Sequence, residues 1–380
     1  MGFELEFLRD FLHYLTHYTA FNVITLGQII MMIFAVVLIY LAISKEYEPF
    51  VLLPIGIACL LSNVPLGHLS EVGGLFYLIR KYLIDTEILP IIVFICVGAM
   101  TDFGPLLSRP LPSFIMAAAA QLGIFITLIL CLAIGYPPKE AAAIGIIGSA
   151  DGPTTVYTCA KLAPEILGPV AASCYLYMAM VPIIQPPIVY ALTTKKERAT
   201  YMPPKIREVS KIERILFPVF CLLIGCLLVP HATPLIGAIA IGNLFRESGV
   251  VDRLAKASEN ELLNISTILL GLGIGGTLTA EEFLKPEVLL IFVFGIVGFA
   301  GGTVGGLILG KIFYIASRGK INPIIGIAGV SAVPMTARVS QYLASKDNPR
   351  NFILMHAMGP NIGGVIASAI AAGYLISIFG

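Results

Sequence analysis

Long apolar runs alternate along this chain with shorter ones that glycine and proline interrupt. The long runs cover 23–43, 50–66, 111–135, 170–192, 215–229, 288–317 and 353–379. A helix needs about 20 apolar residues to cross the hydrocarbon of a bilayer, and most of these runs are that long. The pattern predicts an all-α, polytopic membrane protein. The weaker segments, 89–100, 141–162, 233–244, 265–276 and 322–343, are where helices should break and where function should sit, because unwound backbone at membrane depth is tolerated only around a polar site.

Charge then orients the pattern. The loop 194–214 carries Lys195, Lys196, Arg198, Lys205, Arg207, Lys211 and Arg214. By the positive-inside rule this loop is cytoplasmic. It also separates two similar halves, since Ile144-Gly145-x-x-Gly148-x4-Pro153-x-Thr155 recurs as Ile325-Gly326-x-x-Gly329-x4-Pro334-x-Thr336. Pro182 and Pro360 follow in matching Ala-Met-x-Pro contexts. The expected organisation is an N-terminal amphipathic helix over 1–21, a first membrane repeat over 22–193, a basic linker over 194–214 and a second repeat over 215–380. With one re-entrant segment per half, expected at 89–100 and 265–276, each repeat crosses five times and the chain about ten, both termini outside. An odd count inverts the repeats, and inverted repeats around two broken helices form a transporter-like fold.

Composition agrees and excludes other classes. Hydrophobic residues make up 57% and charged residues 12%, with a net charge of +1. That leaves no basic surplus for nucleic acid. Trp is absent, so Tyr must serve the interfacial belt. The seven cysteines lie mostly in apolar runs without Cys-x-x-Cys spacing, and read as packing residues. The glycines between Gly295 and Gly310 signal close helix approach, not a phosphate loop.

The candidate chemistry lies in the interrupted segments. Gly148-Ser149-Ala150-Asp151-Gly152-Pro153-Thr154 cannot be smooth helix, so backbone carbonyls are freed there beside a carboxylate and hydroxyls. Hard oxygens of that kind suit sodium. Asp151 could instead only cap the helix that follows, although a charge at membrane depth is costly for that purpose. The second half has Ala332 where the first has Asp151, and adds Asn322, Ser331, Thr336 and Arg338. Arg338 either snorkels to the interface or receives a planar carboxylate. Asn361, after Pro360, either caps a helix or faces Asp151 as a neutral oxygen ligand. Tyr177 is either an interface anchor or a ligand.

These motifs, with Val97-Gly-Ala-Met-Thr-Asp-Phe103, Gly249-Val-Val-Asp-Arg-Leu254, Gly329-Val-Ser-Ala-Val-Pro-Met335 and Met355-His-Ala-Met-Gly-Pro-Asn361, resemble the beta subunit of the sodium-ion-translocating decarboxylases over nearly the whole chain. The resemblance implies a subunit that decarboxylates carboxybiotin on a partner and uses that free energy to export sodium, consuming a proton. It places the sodium-site acid on Asp151, polar pathway residues on Tyr177, Asn322, Ser331, Arg338 and Asn361, and a close-packing glycine on Gly326. The expected roles follow. Arg338, Asp151 and Tyr177 take part in catalysis, Arg338, Asn322 and Ser331 meet carboxybiotin, and Asp151, Asn361, Ser149, Thr154 and Ser331 hold sodium. Expected partners are a carboxyltransferase alpha subunit, a biotin carrier subunit, a small membrane gamma or delta subunit and the lipid of a bacterial or archaeal cytoplasmic membrane; a homo-oligomer is compatible with all of this. The chain lacks a biotin-attachment Met-Lys-Met, so the carboxyl group must arrive from another polypeptide. Its length, shorter than the oxaloacetate members, points toward an acyl-CoA acid. The competing reading is a stand-alone carrier, a sodium/proton antiporter or sodium/organic-anion symporter.

Overall fold

A computed structural model describes residues 11, 14, 19–204 and 207–380. Most of the expected helix over 1–21 lies outside the described residues. Beyond it the described chain is helical and without strands. In order, the main helices are α1 Leu26–Ser44, α2 Pro49–Ser62, α3 Leu75–Ile79, α4 Ile88–Met100, α5 Pro110–Ala120, α6 Leu122–Ile134, α7 Pro138–Gly145, α8 Gly152–Leu162 and α9 Leu167–Leu192. After the basic loop come α10 Lys211–Phe220, α11 Thr233–Ser248, α12 Asp252–Ala257, α13 Leu263–Gly275, α14 Pro286–Ala316, α15 Met335–Asp347 and α16 Leu354–Phe379. Among the described residues five stretches are long and apolar enough to cross a bilayer alone: α1, 110–134, 164–192, α14 and α16. The pair 75–84 and 88–100, bent by 66° at its break, makes a sixth if the two helices form one span.

Local chemistry sets these boundaries. Proline opens α2, α5, α7 and α14, where its missing N–H costs nothing. Thr25 and Gln28 form a reciprocal capping box at the start of α1. Both α3 and α12 run into a π-helical turn, Arg80–Ile84 and Ser258–Leu262, at corresponding places in the two halves.

The halves also exchange partners. α11 lies against α4, and α13 lies against α2. In sequence order α2 corresponds to α11 and α4 to α13, so the two contacts are one contact seen twice. Both are glycine approaches: a Cβ on Gly242 would meet the Ala99 nitrogen at 2.7 Å, and one on Gly271 the Pro54 Cβ at 2.6 Å.

α14 runs through the centre and records where the interrupted segments enter. At its start the Tyr136 hydroxyl, which follows α6, donates to the Glu287 carbonyl at 2.5 Å. Tyr177 of α9 donates to the Phe292 carbonyl. Next comes the tip of the first interrupted segment, with an added Cβ on Gly298 only 3.2 Å from the Gly148 Cα. Further on, Gly302 faces Val330, Gly306 faces the Gly326 carbonyl and Gly310 faces Pro323. Near the far end Lys311 Nζ donates to the Leu192 carbonyl at 2.9 Å, beside the basic loop.

The two interrupted segments therefore descend from opposite ends of α14. Each also returns to its own end. Asn322 Nδ2, before the second segment, donates to the Arg198 and Thr200 carbonyls at 2.8 and 3.0 Å, while Asp347, at its end, pairs with Arg198 at 2.5 Å. The first segment leaves near Tyr136 and comes back to Gly168, which packs on Thr277 just before α14. They are hairpins. The residues expected to be re-entrant, 89–100 and 265–276, form α4 and α13, the first of them in the pair bent by 66°, while 138–162 and 323–347 turn back as hairpins. Glycine and proline mark where a helix breaks but not whether the chain continues or turns back.

Candidate functional site

The hairpin tips meet. After a 3-10 turn over Ile146–Ser149, Ala150 takes a left-handed φ of 51° and the chain reopens as α8. In the second hairpin a longer 3-10 stretch, Pro323–Gly329, leads through 330–334 into α15. The Ser331 N–H donates to the Ser149 carbonyl at 3.0 Å, joining the two tips directly.

Asp151 stands at this junction, 5% exposed. One carboxylate oxygen accepts from the Thr154 N–H at 3.2 Å, so Asp151 does cap α8. The other accepts from the Ser368 hydroxyl of α16 at 2.5 Å. That hydroxyl has a single proton and a second acceptor in reach, the Val365 carbonyl at 2.9 Å. It can turn its proton away and offer a lone pair toward the carboxylate's side. Thr154 Oγ1, in the same turn, is buried with no hydrogen-bond partner.

Asn361 lies two helical turns before Ser368 on α16. It is not an N-cap, because α16 runs through it and through Pro360. Its side-chain N–H groups reach the Ala328 carbonyl at 2.9 Å, the Val330 carbonyl at 3.0 Å and the Thr336 hydroxyl at 2.8 Å. The amide thus ties down carbonyls that the unwound tip frees, and its own Oδ1 is left buried without a partner. A buried polar atom without a partner costs on the order of 1–3 kcal/mol, and it marks a place where a cation or water belongs. Asp151 and Asn361 are held to different partners at heights on α16 that differ by roughly 10 Å, given 1.5 Å per residue.

The other expected residues divide. Ser149 donates its hydroxyl to the Ile146 carbonyl at 2.7 Å and its carbonyl receives Ser331. Ser331 Oγ lies 3.5 Å from Gln121 Nε2, whose own oxygen is buried without a partner. Asn322 anchors the base of the second hairpin, away from the tips. Tyr177 packs its ring against Gly295 and bonds to α14, whereas the neighbouring Tyr175 lies against Gly152 beside Asp151. Arg338 is exposed, in the first turn of α15.

Three groups were not singled out by their sequence context. Ser368 is one of two serines in an apolar run; its sequence signal is the seven-residue spacing from Asn361, which puts both on one face. Gln185, in the proline-rich stretch of α9, is wholly buried, with its Nε2 on the Ile327 carbonyl at 3.2 Å and an unpartnered Oε1. Glu48, half-buried in the turn between α1 and α2, has its carboxyl pushed above the ordinary range by burial, and the Arg338 guanidinium pulls it back.

Residues 27–379 match the family of the Na+-transporting oxaloacetate decarboxylase beta subunit. The chain belongs to that family. Among relatives, the beta subunit of methylmalonyl-CoA decarboxylase from Propionigenium modestum is 48% identical, over 99% of this chain and 100% of the relative. The glutaconyl-CoA decarboxylase beta subunit of Acidaminococcus fermentans is 46% identical, over 95% and 96%. Oxaloacetate decarboxylase beta chain 2 of Salmonella typhi is 45% identical, over 92% and 94%. This beta-subunit family joins a membrane fold to decarboxylation and sodium transport, and the competing reading of a stand-alone carrier falls away.

Proposed function

We propose that this chain is the membrane subunit in which decarboxylation of carboxybiotin, carried by a partner, drives sodium outward through the junction of the two hairpins. The observation that carries the reading is Asp151, a buried carboxylate between hairpin tip and α16 with the unpartnered hydroxyl of Thr154 in the same turn. Sodium is the cargo. Asp151, Ser149, Thr154 and Ser368 supply its oxygens at the first hairpin's tip, and Ser331 and Asn361 supply those of a second station roughly 10 Å along α16.

Loss of carbon dioxide from carboxybiotin breaks an N–C bond and takes up one proton at the nitrogen. Arg338 receives the carboxylate, because its planar guanidinium matches two oxygens and is exposed where a large partner group can reach it. Glu48 holds Arg338 in place until that anion arrives, and the two carboxylates then compete for one cation. Asp151 carries either sodium or a proton, never both, so consumption of a proton is tied to release of the ion. Tyr175 and Tyr177 line the route from Asp151 along α9.

The same membrane chemistry serves acids of different kinds, since this subunit meets only the carboxyl group on biotin. That accords with similar identities to relatives named for methylmalonyl-CoA, glutaconyl-CoA and oxaloacetate. An acyl-CoA acid, a carboxyltransferase alpha subunit, a biotin carrier and a small gamma or delta subunit complete the proposal, in a prokaryotic cytoplasmic membrane. The repeats span 22–193 and 215–380, five crossings each plus one hairpin. In proteoliposomes containing the whole complex, Asp151→Asn is expected to abolish decarboxylation-driven uptake of radioactive sodium. Uptake at the parental rate would overturn the proposal.

A further inference from the structure

At the basic-loop end of α14 lies an open cavity of about 460 Å³ lined by Lys196, Thr200, Tyr314, Ile315, Arg318 and Gly319. Its polar side chains are an ammonium, a guanidinium and two hydroxyls, with no carboxylate among them. The acids nearby are already engaged. Glu197 accepts from the Thr194 N–H at 2.7 Å and pairs with Lys311 at 3.3 Å, so its carboxyl, though partly buried, is held below the ordinary range by the Thr194 and Lys311 donors. Asp347 pairs with Arg198. Among the described residues neither Lys196 nor Arg318 has an ion-pair partner.

The local fold keeps both cations at the cavity. Arg318 and Gly319 end α14 with left-handed φ values of 55° and 78°, closed by bonds from the Arg318 N–H to the Ile315 carbonyl and from the Gly319 N–H to the Tyr314 carbonyl. Lys196 sits in the short helical turn Lys195–Arg198, which its own capping box fixes. Below the cavity, Ile308, Ile312 and Ile315 form an exposed stripe along α14, 47%, 51% and 72% accessible. Their spacing puts them on one helical face, and in a bilayer that face meets acyl chains.

We propose that this cavity binds the phosphate of an anionic phospholipid, with Lys196 and Arg318 on the phosphodiester oxygens, Tyr314 and Thr200 donating from the sides, and the acyl chains lying on the isoleucine stripe. A lining with two cations, two hydroxyls and no carboxylate favours a phosphate oxyanion. The isoleucine stripe then favours a lipid over free phosphate, and the leaflet beside a basic loop is the one that concentrates anionic lipid.

The test is native mass spectrometry of the intact complex, exchanged into detergent with phosphatidylglycerol or phosphatidylcholine. The parental complex is expected to retain phosphatidylglycerol, with inorganic phosphate unable to displace it. The double variant Lys196→Gln with Arg318→Gln is expected to lose retention roughly tenfold or more, two basic groups being removed. Lys256→Gln, outside the cavity, is expected to keep it, and each variant is compared as assembled complex. Equal retention in the double variant and in Lys256→Gln would overturn the site. Equal retention of phosphatidylcholine, or full displacement by inorganic phosphate, would overturn the lipid assignment.

Discussion

Asp151 makes the energetic argument at the scale of single residues. A carboxylate in the bilayer interior is tolerated only with donors or a cation beside it. Here the donors are the Thr154 N–H and the Ser368 hydroxyl. Hydrogen bonds to a charged group contribute about 1.5–3 kcal/mol each. In the proposed sodium-bound state, Ser368 redirects its proton to Val365 and remains as a ligand. Ser368→Ala is expected to weaken sodium activation of decarboxylation by roughly tenfold, the counterpart of one such bond, with Ser368→Thr restoring it. An unchanged sodium half-saturation in the alanine variant would show that the hydroxyl takes no part. Asp151 was legible in the sequence because a charge within an Asp-Gly-Pro break is costly unless used. Ser368 was not legible, since a serine in an apolar helix commonly satisfies itself on its own backbone, as Ser368 also does through Val365.

Glycine decides what the elements can do. The first hairpin reaches the centre only because Gly148 meets Gly123 of α6 and Gly298 and Gly302 of α14 with no side chain between them. A Cβ on Gly148 would lie 2.7 Å from the Ile124 nitrogen, closer than real Cβ contacts come. Overpacking of that kind costs about 1–3 kcal/mol. Gly148→Ala is therefore expected to lower the thermal midpoint of the purified complex, and to impair sodium release more than partner assembly. A variant as stable as the parent would mean that the tip has room to spare. The small-residue runs were visible in the sequence, as was the recurrence of Ile-Gly-x-x-Gly in the two halves. The direction of each segment was not, because an interrupted span and a hairpin share the same composition. Only contacts at their bases, Asn322 and Asp347 with the basic loop and Gly168 with Thr277, tell them apart.

For the whole molecule, the halves are related by exchange: α2 with α13, α4 with α11, and two hairpins entering from opposite ends of α14 to meet at Ser149 and Ser331. On the proposed reading one hairpin must move for the ion to leave the junction, as alternating access requires. The proposed five crossings and one hairpin per half would put both termini on the face away from the basic loop. A reporter enzyme fused after Gly380 is expected to be active only outside the cytoplasm, and cytoplasmic activity would contradict the crossing count. The most direct test of the central claim is a density map of the complex at saturating sodium. Density is expected at about 2.4 Å from an Asp151 carboxylate oxygen, with Ser368 turned toward it, between two separate hairpin tips. Continuous helices through both Gly-Pro stretches, or Asp151 facing bulk water with no ion beside it, would contradict it.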